Sequence, residues 1–341
     1  MKKIVYFDIL KIISIIFVIL IHVLGEFFYI YNYNSFNYKL IVILESICRF
    51  SVPMFYMISG ALFLNENKKI TIKDMLKKYL PNILLLYIFW NTTYSIIDTY
   101  ILKHETITLN IILQTIINTL LGHKVYQFGF LIVIIGFYLC VPILRLITNK
   151  KNKKELEYLI ILLLIFSGII DFLPLFTNIN ISYPILFSGY IIYFILGYYL
   201  STFELSKRTT KIIYILSSLS LISTILITIY YSNKNQLQYD LFMNYLTIFN
   251  IIYSCGIFIF IKNITINIKD NKIIKFLKDT YFGIFAIHGL ILGLCYKLKL
   301  FELKIPLIPK IILITIIIYL ICLLITYIMK KIPIIKKLVR G

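Results

Sequence analysis

Ten stretches of about 20 mostly apolar residues punctuate the chain, at roughly 4–27, 40–64, 79–99, 128–148, 156–173, 183–200, 211–231, 241–261, 277–297 and 308–329. Twenty such residues match the hydrocarbon thickness of a bilayer when coiled as a helix. Lipid offers no hydrogen-bond partners, so each span must satisfy its backbone internally. A membrane β-barrel requires alternating apolar and polar residues, and these runs are apolar all round. The fold class that follows is all-α: a polytopic transmembrane helical bundle of about ten spanning helices. The stretch 107–121 is too short and too polar to span, and fits a helix lying in the interface or re-entering it.

Composition agrees. The 341 residues are 60% hydrophobic, against about 45–50% in soluble domains, and the mean hydropathy is +0.90. No polar block is long enough to be a soluble domain, so residues 1–341 read as one integral-membrane domain with none appended. The first apolar run exceeds a signal-peptide core and lacks a small-residue cleavage site, so it is expected to remain as a span. Five cysteines, Cys48, Cys140, Cys255, Cys295 and Cys322, lie in apolar segments without metal-ligand or disulfide spacing. They read as small buried residues, and no metal is expected.

The net charge of +20 does not indicate nucleic acid, because the cations lie in short runs between spans rather than on one soluble face. The N-terminus, the tail and alternate connections carry 25 Lys and Arg, the opposite connections carry 8, and Lys11 and Arg49 lie within spans. Cations favour the cytoplasmic side. Both termini are therefore expected in the cytoplasm, which an even number of spans also requires.

Ionisable residues inside spans are costly, by about 2.5–3.5 kcal/mol near the centre on insertion scales, and their placement is informative. At about 100° per residue, Asp8, Lys11, His22 and Glu26 fall within an arc of roughly 60° on the first span. Lys11 and His22 are about 16 Å apart along it, so the stripe runs from the cytoplasmic side outwards. Asp8 and Lys11 can pair at i,i+3. His22, which titrates near neutrality, is the candidate general base, with a histidine bonded to a backbone carbonyl as the plain alternative. Arg49 needs a partner, either an anionic ligand or an acid such as Glu45. Pro53 bends the second span, and Ser59-Gly60 permits close helix approach. His288 lies near mid-membrane in the ninth span. His104 and His123 read as solvated residues of an outer loop.

These segments, in this order, resemble the acyltransferase 3 family of integral membrane O-acyltransferases, and the likeness covers nearly the whole chain. Lys11 and His22 have the spacing of that family's basic residue, ten residues and histidine. "VPMFYMISGALF" (52–63) is similar to its Val-Pro-Leu-Phe-Phe-x-Ile-Ser-Gly stretch. "LKKYLPNIL" (76–84) resembles a basic stretch before a proline, with Lys78 where Arg is usual. "FLIVIIGFYLCVPILR" (130–145) resembles the fourth span, ending in Arg145, and "YFGIFAIHGLIL" (281–292) resembles the span bearing His288. Two departures stand out. Gln127 and Gly129 occupy positions usually held by His and Trp, which bears on the acceptor, and Gly289 replaces a proline.

The resemblance implies ten spans and transfer of an acyl group, commonly acetyl, from cytosolic acyl-CoA to a hydroxyl of an envelope polysaccharide, peptidoglycan or lipid-linked sugar in the plasma membrane. It makes acyl-CoA the co-substrate, with no bound cofactor. His22, Lys11 and Asp8 become the expected catalytic group; Arg49, Ser59, Lys78, Arg145 and His288 become expected donor or substrate contacts. The stripe alone fits equally a transporter or flippase for a glycolipid or small anion, and a sensory or scaffold membrane protein is a third reading.

Overall fold

The computed structural model describes residues 5–102, 106, 108–122, 126–170 and 189–340. They are helical, with no strand among the described residues. In chain order the helices are α1 (Val5–Phe28), α2 (Phe36–Cys48), α3 (Ser51–Phe63), α4 (Ile72–Asp74), α5 (Leu80–Leu102), α6 (Leu109–Leu120) and α7 (Gly129–Ile147). They continue with α8 (Lys153–Leu163), α9 (Ile191–Thr202), α10 (Lys207–Asn235), α11 (Ile248–Ile264), α12 (Lys272–Lys278), α13 (Tyr281–Lys297) and α14 (Leu307–Lys331).

Seven helical stretches among the described residues are long and apolar enough to cross a membrane: Val5–Phe28, Phe36–Phe63, Ile72–Asp98, Gly129–Ile147, Lys207–Asn235, Leu241–Ile264 and Leu307–Lys331. There are eight if α12 and α13, bent by 56°, form one span. The count of ten is thus not reached. The expected fifth span is described only to Ile170 and the sixth only from residue 189, the remainder of both lying outside the described residues. His104 and His123 also lie outside them. The stretch that was too short to span forms α6, a 12-residue helix held to α5 by Asn91 Nδ2 donating to Thr119 Oγ1 at 2.7 Å.

Helix α10 shows what solvent this bundle is built for. Its buried face is Ser217, Ser220, Thr224, Thr228 and Ser232, while Ile215, Leu219, Ile222 and Leu226 point outwards and are exposed. That is the reverse of a helix in water and is the arrangement expected against lipid, where small residues let helices approach. Polar N-caps mark where the chain enters its helices. Ser35, Ser206, Thr247 and Asn271 each accept a backbone N–H three residues on.

Helices α3 and α9 cross with backbones in contact. A Cβ on Gly60 would overlap the Phe194 carbonyl, and one on Gly197 would overlap the Met57 backbone. Gly60 is therefore a packing residue, and it fixes α3 beside the bundle interior.

The cation-rich connections gather at one end. Arg145, near the end of α7, donates to the carbonyls of Phe63, Asn65 and Lys68 after α3. Lys150 pairs with Glu66, Lys262 donates to the Leu200 carbonyl, and Lys278 pairs with Asp8. Lys330, near the end of α14, reaches Asp279 at 4.0 Å. The start of α1 and the end of α14 thus share the cationic end. The other end is tied by Tyr29 to Asp240 and by Gln238 to the Tyr31 carbonyl.

Candidate active site

Three of the residues singled out by sequence converge. The rings of His22 on α1 and His288 on α13 lie 4.9 Å apart between centroids, and both His288 and the Arg49 guanidinium are within electrostatic reach of His22. Pro53 explains the position of Arg49. Having no N–H, it cannot bond the carbonyl four residues back, so α2 stops at Cys48 and α3 begins at Ser51. Arg49 sits at that break, about halfway through the span Phe36–Phe63. Its guanidinium pairs with Glu45 one turn earlier, both side chains largely buried, and faces the Tyr245 ring at 5.3 Å.

The His288 tautomer follows from its neighbour. Nδ1 lies 2.5 Å from the carbonyl oxygen of Phe285. A carbonyl can only accept, so Nδ1 carries the proton and Nε2 of the neutral ring keeps its lone pair. That Nε2 is buried and has no hydrogen-bond partner among the described residues. His22 differs in being only half-buried. One turn further along α1, a Cβ on Gly25 would meet nothing within 4 Å. Nothing therefore packs against α1 at Gly25, on the side of His22 away from the cationic end.

The remaining expected residues divide. Asp8 does not pair with Lys11; it bonds Lys278 Nζ at 3.0 Å, with Asp270 4.0 Å from the same ammonium. The bend between α12 and α13 brings Lys278 there, which helical spacing on α1 alone could not reveal. Lys11 lies over the Tyr281 ring at 5.0 Å and has no ion pair among the described residues. Ser59 is half-buried. Lys78 is exposed at the cationic end, 5.4 Å from the Tyr79 ring. The guanidinium of Arg145 is taken up by three backbone carbonyls, at 2.7, 3.0 and 2.6 Å. Its place is to hold the turn after α3. A polar cavity of about 170 Å³ also opens at the cationic end, between Phe7, Asn65, Glu66, Lys150 and Ser201. Phe7 is 15 residues from His22, about 22 Å along the helix, so this cavity is not the histidine site.

Sequence reasoning missed Tyr94. Its hydroxyl donates to the Ala286 carbonyl and accepts the Leu290 N–H, both at 3.0 Å, so it braces α13 on either side of His288. Nothing in the spacing of an aromatic within an apolar span could have marked it.

Residues 4–327 match the family model described as an acyltransferase domain, that of acyltransferase 3. The chain belongs to the acyltransferase 3 family. No curated protein and no solved structure matches it. The acyltransferase thus carries its two span histidines in one cluster, with a buried Arg–Glu pair beside them and Lys11, over the Tyr281 ring, nearer the cationic end. Among its described residues no group of His, Cys, Asp and Glu could hold a metal ion. The described cysteines, all free, lie apart from one another in the chain.

Proposed function

We propose that this acyltransferase moves an acyl group, in the first instance acetyl, from acyl-CoA at the cationic end to a hydroxyl of an envelope polysaccharide, peptidoglycan or lipid-linked sugar. The observation that carries the reading is the contact between His22 and His288 beside Arg49. A proton-transfer pair next to a fixed cation is what acyl transfer requires, and family membership names that chemistry.

In this reading the cationic end faces the cytoplasm, following the charge bias, and the membrane is the plasma membrane. CoA phosphates meet exposed lysines such as Lys78, where a compact cation suffices. Lys11, with no counter-ion among the described residues, faces the donor along the α1 stripe. His22 takes the proton from the acceptor hydroxyl. The oxygen attacks the thioester carbonyl, and the oxyanion that forms is stabilised by Arg49, which Glu45 holds in place. Collapse breaks the C–S bond, the ester leaves on the acceptor, and the thiolate takes the proton to give CoA thiol. His288, with Nδ1 committed to Phe285, turns the lone pair of Nε2 to the side of His22 to support the proton transfer. Asp8 and Arg145 act by holding α1 and the α3 turn in position.

The test is mass spectrometry of envelope glycans from cells with and without the protein. One acetyl increment per modified hydroxyl, present only with the protein, supports the reading. Movement of a glycolipid across vesicles with no covalent change would instead support the transporter.

A further inference from the structure

Helix α14 ends at Lys331, and the chain does not run away from the bundle there. Pro333 has no N–H and cannot continue a helix. The Lys336 N–H donates to the Ile332 carbonyl at 2.8 Å, closing a turn around the proline. The chain then forms a short 3₁₀ stretch, Ile335–Val339, packed on α5, α13 and α14. Two contacts fix it. Val339 is wholly buried, in the same apolar core as Trp90 and Phe282. The indole N–H of Trp90 donates to the Leu338 carbonyl at 2.8 Å. Trp90 lies one turn before Tyr94 on the same face of α5, so the stretch docks on the cationic side of the contacts by which Tyr94 braces α13.

The outer side of this segment is built differently. Lys336, Lys337 and Arg340 are exposed and have no ion pair among the described residues. Lys331 is exposed too, its ammonium 4.5 Å from the Tyr327 ring centre, whereas Lys330 is held by Asp279. Ile332 and Ile334 stand exposed among these cations. Helix α14 is long and apolar enough to cross a membrane, so the residues that follow it emerge at the headgroup layer. Apolar residues interleaved with Lys and Arg at that depth are the composition of an interfacial segment, and a cluster of four cations directly after a span attracts anionic lipid. A positive bias that only oriented the chain would need the charges alone. Here the backbone that bears them is folded back and latched to α5, which keeps the charges in the headgroup layer instead of letting them extend into water.

We propose that Lys331, Lys336, Lys337 and Arg340 form a docking site for an anionic phospholipid headgroup, with Ile332 and Ile334 among the acyl chains and the Trp90–Leu338 bond fixing the site to α5. A headgroup of net negative charge supplies the counter-charge, and the Arg340 guanidinium can meet two of its phosphate oxygens at once. The site is independent of the acyl-transfer reading, since it uses none of the histidine cluster and would stand if no acyl group moved.

Trp90 is the chain's single tryptophan, so its fluorescence reports this place alone. The full-length protein is put into phosphatidylcholine vesicles that contain a minor share of phosphatidylglycerol with bromine-labelled chains, or the same share of bromine-labelled phosphatidylcholine. Bromine quenches a nearby indole, and phosphatidylglycerol is expected to quench Trp90 the more. Arg340→Gln should lower the relative affinity for phosphatidylglycerol up to about fivefold, the worth of one cation at an anionic surface. Lys336→Gln/Lys337→Gln/Arg340→Gln should bring the two lipids close to parity while leaving the unfolding midpoint and the Trp90 emission unchanged, because these side chains are exposed. Val339→Asp, which undocks the stretch, should move the Trp90 emission to the red and abolish the preference. Equal quenching by the two lipids in the wild type overturns the proposal. So does a preference that survives the triple variant, which would place the anionic lipid elsewhere. A preference that persists in Val339→Asp with red-shifted emission would leave charge without a built site, and one abolished by acetyl-CoA would assign the cations to the donor; either result also overturns it.

Discussion

Replacing Arg145 by alanine separates a structural arginine from a substrate-binding one. Its guanidinium holds the carbonyls of Phe63, Asn65 and Lys68, which follow the last turn of α3, the helix whose Gly60 packs against α9. Hydrogen bonds from a charged donor contribute about 1.5–3 kcal/mol each when buried. Arg145 is half-exposed, and water can take over part of the load, so about 1 kcal/mol per bond and about 3 kcal/mol in all is the reasonable scale. Arg145→Ala should lower the thermal midpoint of the detergent-solubilised protein by several degrees. Arg145→Lys should recover only part, because a lysine cannot spread its donors over three carbonyls as a planar fork does. Turnover per folded molecule should stay within a few-fold of wild type. An Arg145→Ala protein with an unchanged midpoint and no turnover would refute this and return Arg145 to the substrate.

Gly60→Leu or Gly197→Leu should prevent recovery of folded protein, since each side chain would meet backbone rather than a movable side chain; size-exclusion profiles read this directly. Lys278→Met should destabilise by about 3 kcal/mol by stranding the largely buried Asp8, Asp8→Asn should cost less because Asp270 stays beside the Lys278 ammonium, and the double variant should cost less than the two singly; loss of turnover without loss of stability in Asp8→Asn would make Asp8 catalytic instead. The carboxylate of Asp74 accepts from the Thr71 backbone N–H and hydroxyl, and the Thr71 hydroxyl oxygen accepts the Asp74 N–H, a reciprocal cap on α4. Asp74→Asn and Thr71→Val should accordingly speed tryptic cleavage at Lys73 and Lys77 at neutral pH.

What the sequence made legible was set by periodicity and charge. The stripe on α1 placed Lys11 and His22 on one face because a single helix fixes their relative angle, and Glu45 was a natural partner for Arg49 at i,i+4. The contact of His22 with His288 joins residues 266 positions apart, and the family likeness implied only that both matter. The Asp8–Lys278 pair depends on a 56° bend at residues 279–280, so spacing pointed to Lys11 instead. Arg145 looked like a ligand contact because an arginine at a span end has the same sequence signature whether it binds phosphate or carbonyl oxygens. The expected fifth and sixth spans continue into residues 171–188, outside the described structure. Gln127 and Gly289 were each visible as departures, but only the fold shows that they touch, the Gln127 amide lying where a Cβ on residue 289 would be.

The central claim is that His22 and His288 form one acyl-transfer unit. The most direct measurement is release of CoA thiol from acetyl-CoA by purified protein with stripped envelope glycan, comparing His22→Ala, His288→Ala and the double variant. Each single variant is predicted to lose most of the turnover, and the double to be no worse than the poorer single, as for residues that act together. Folded single variants that both turn over at the wild-type rate would contradict the account.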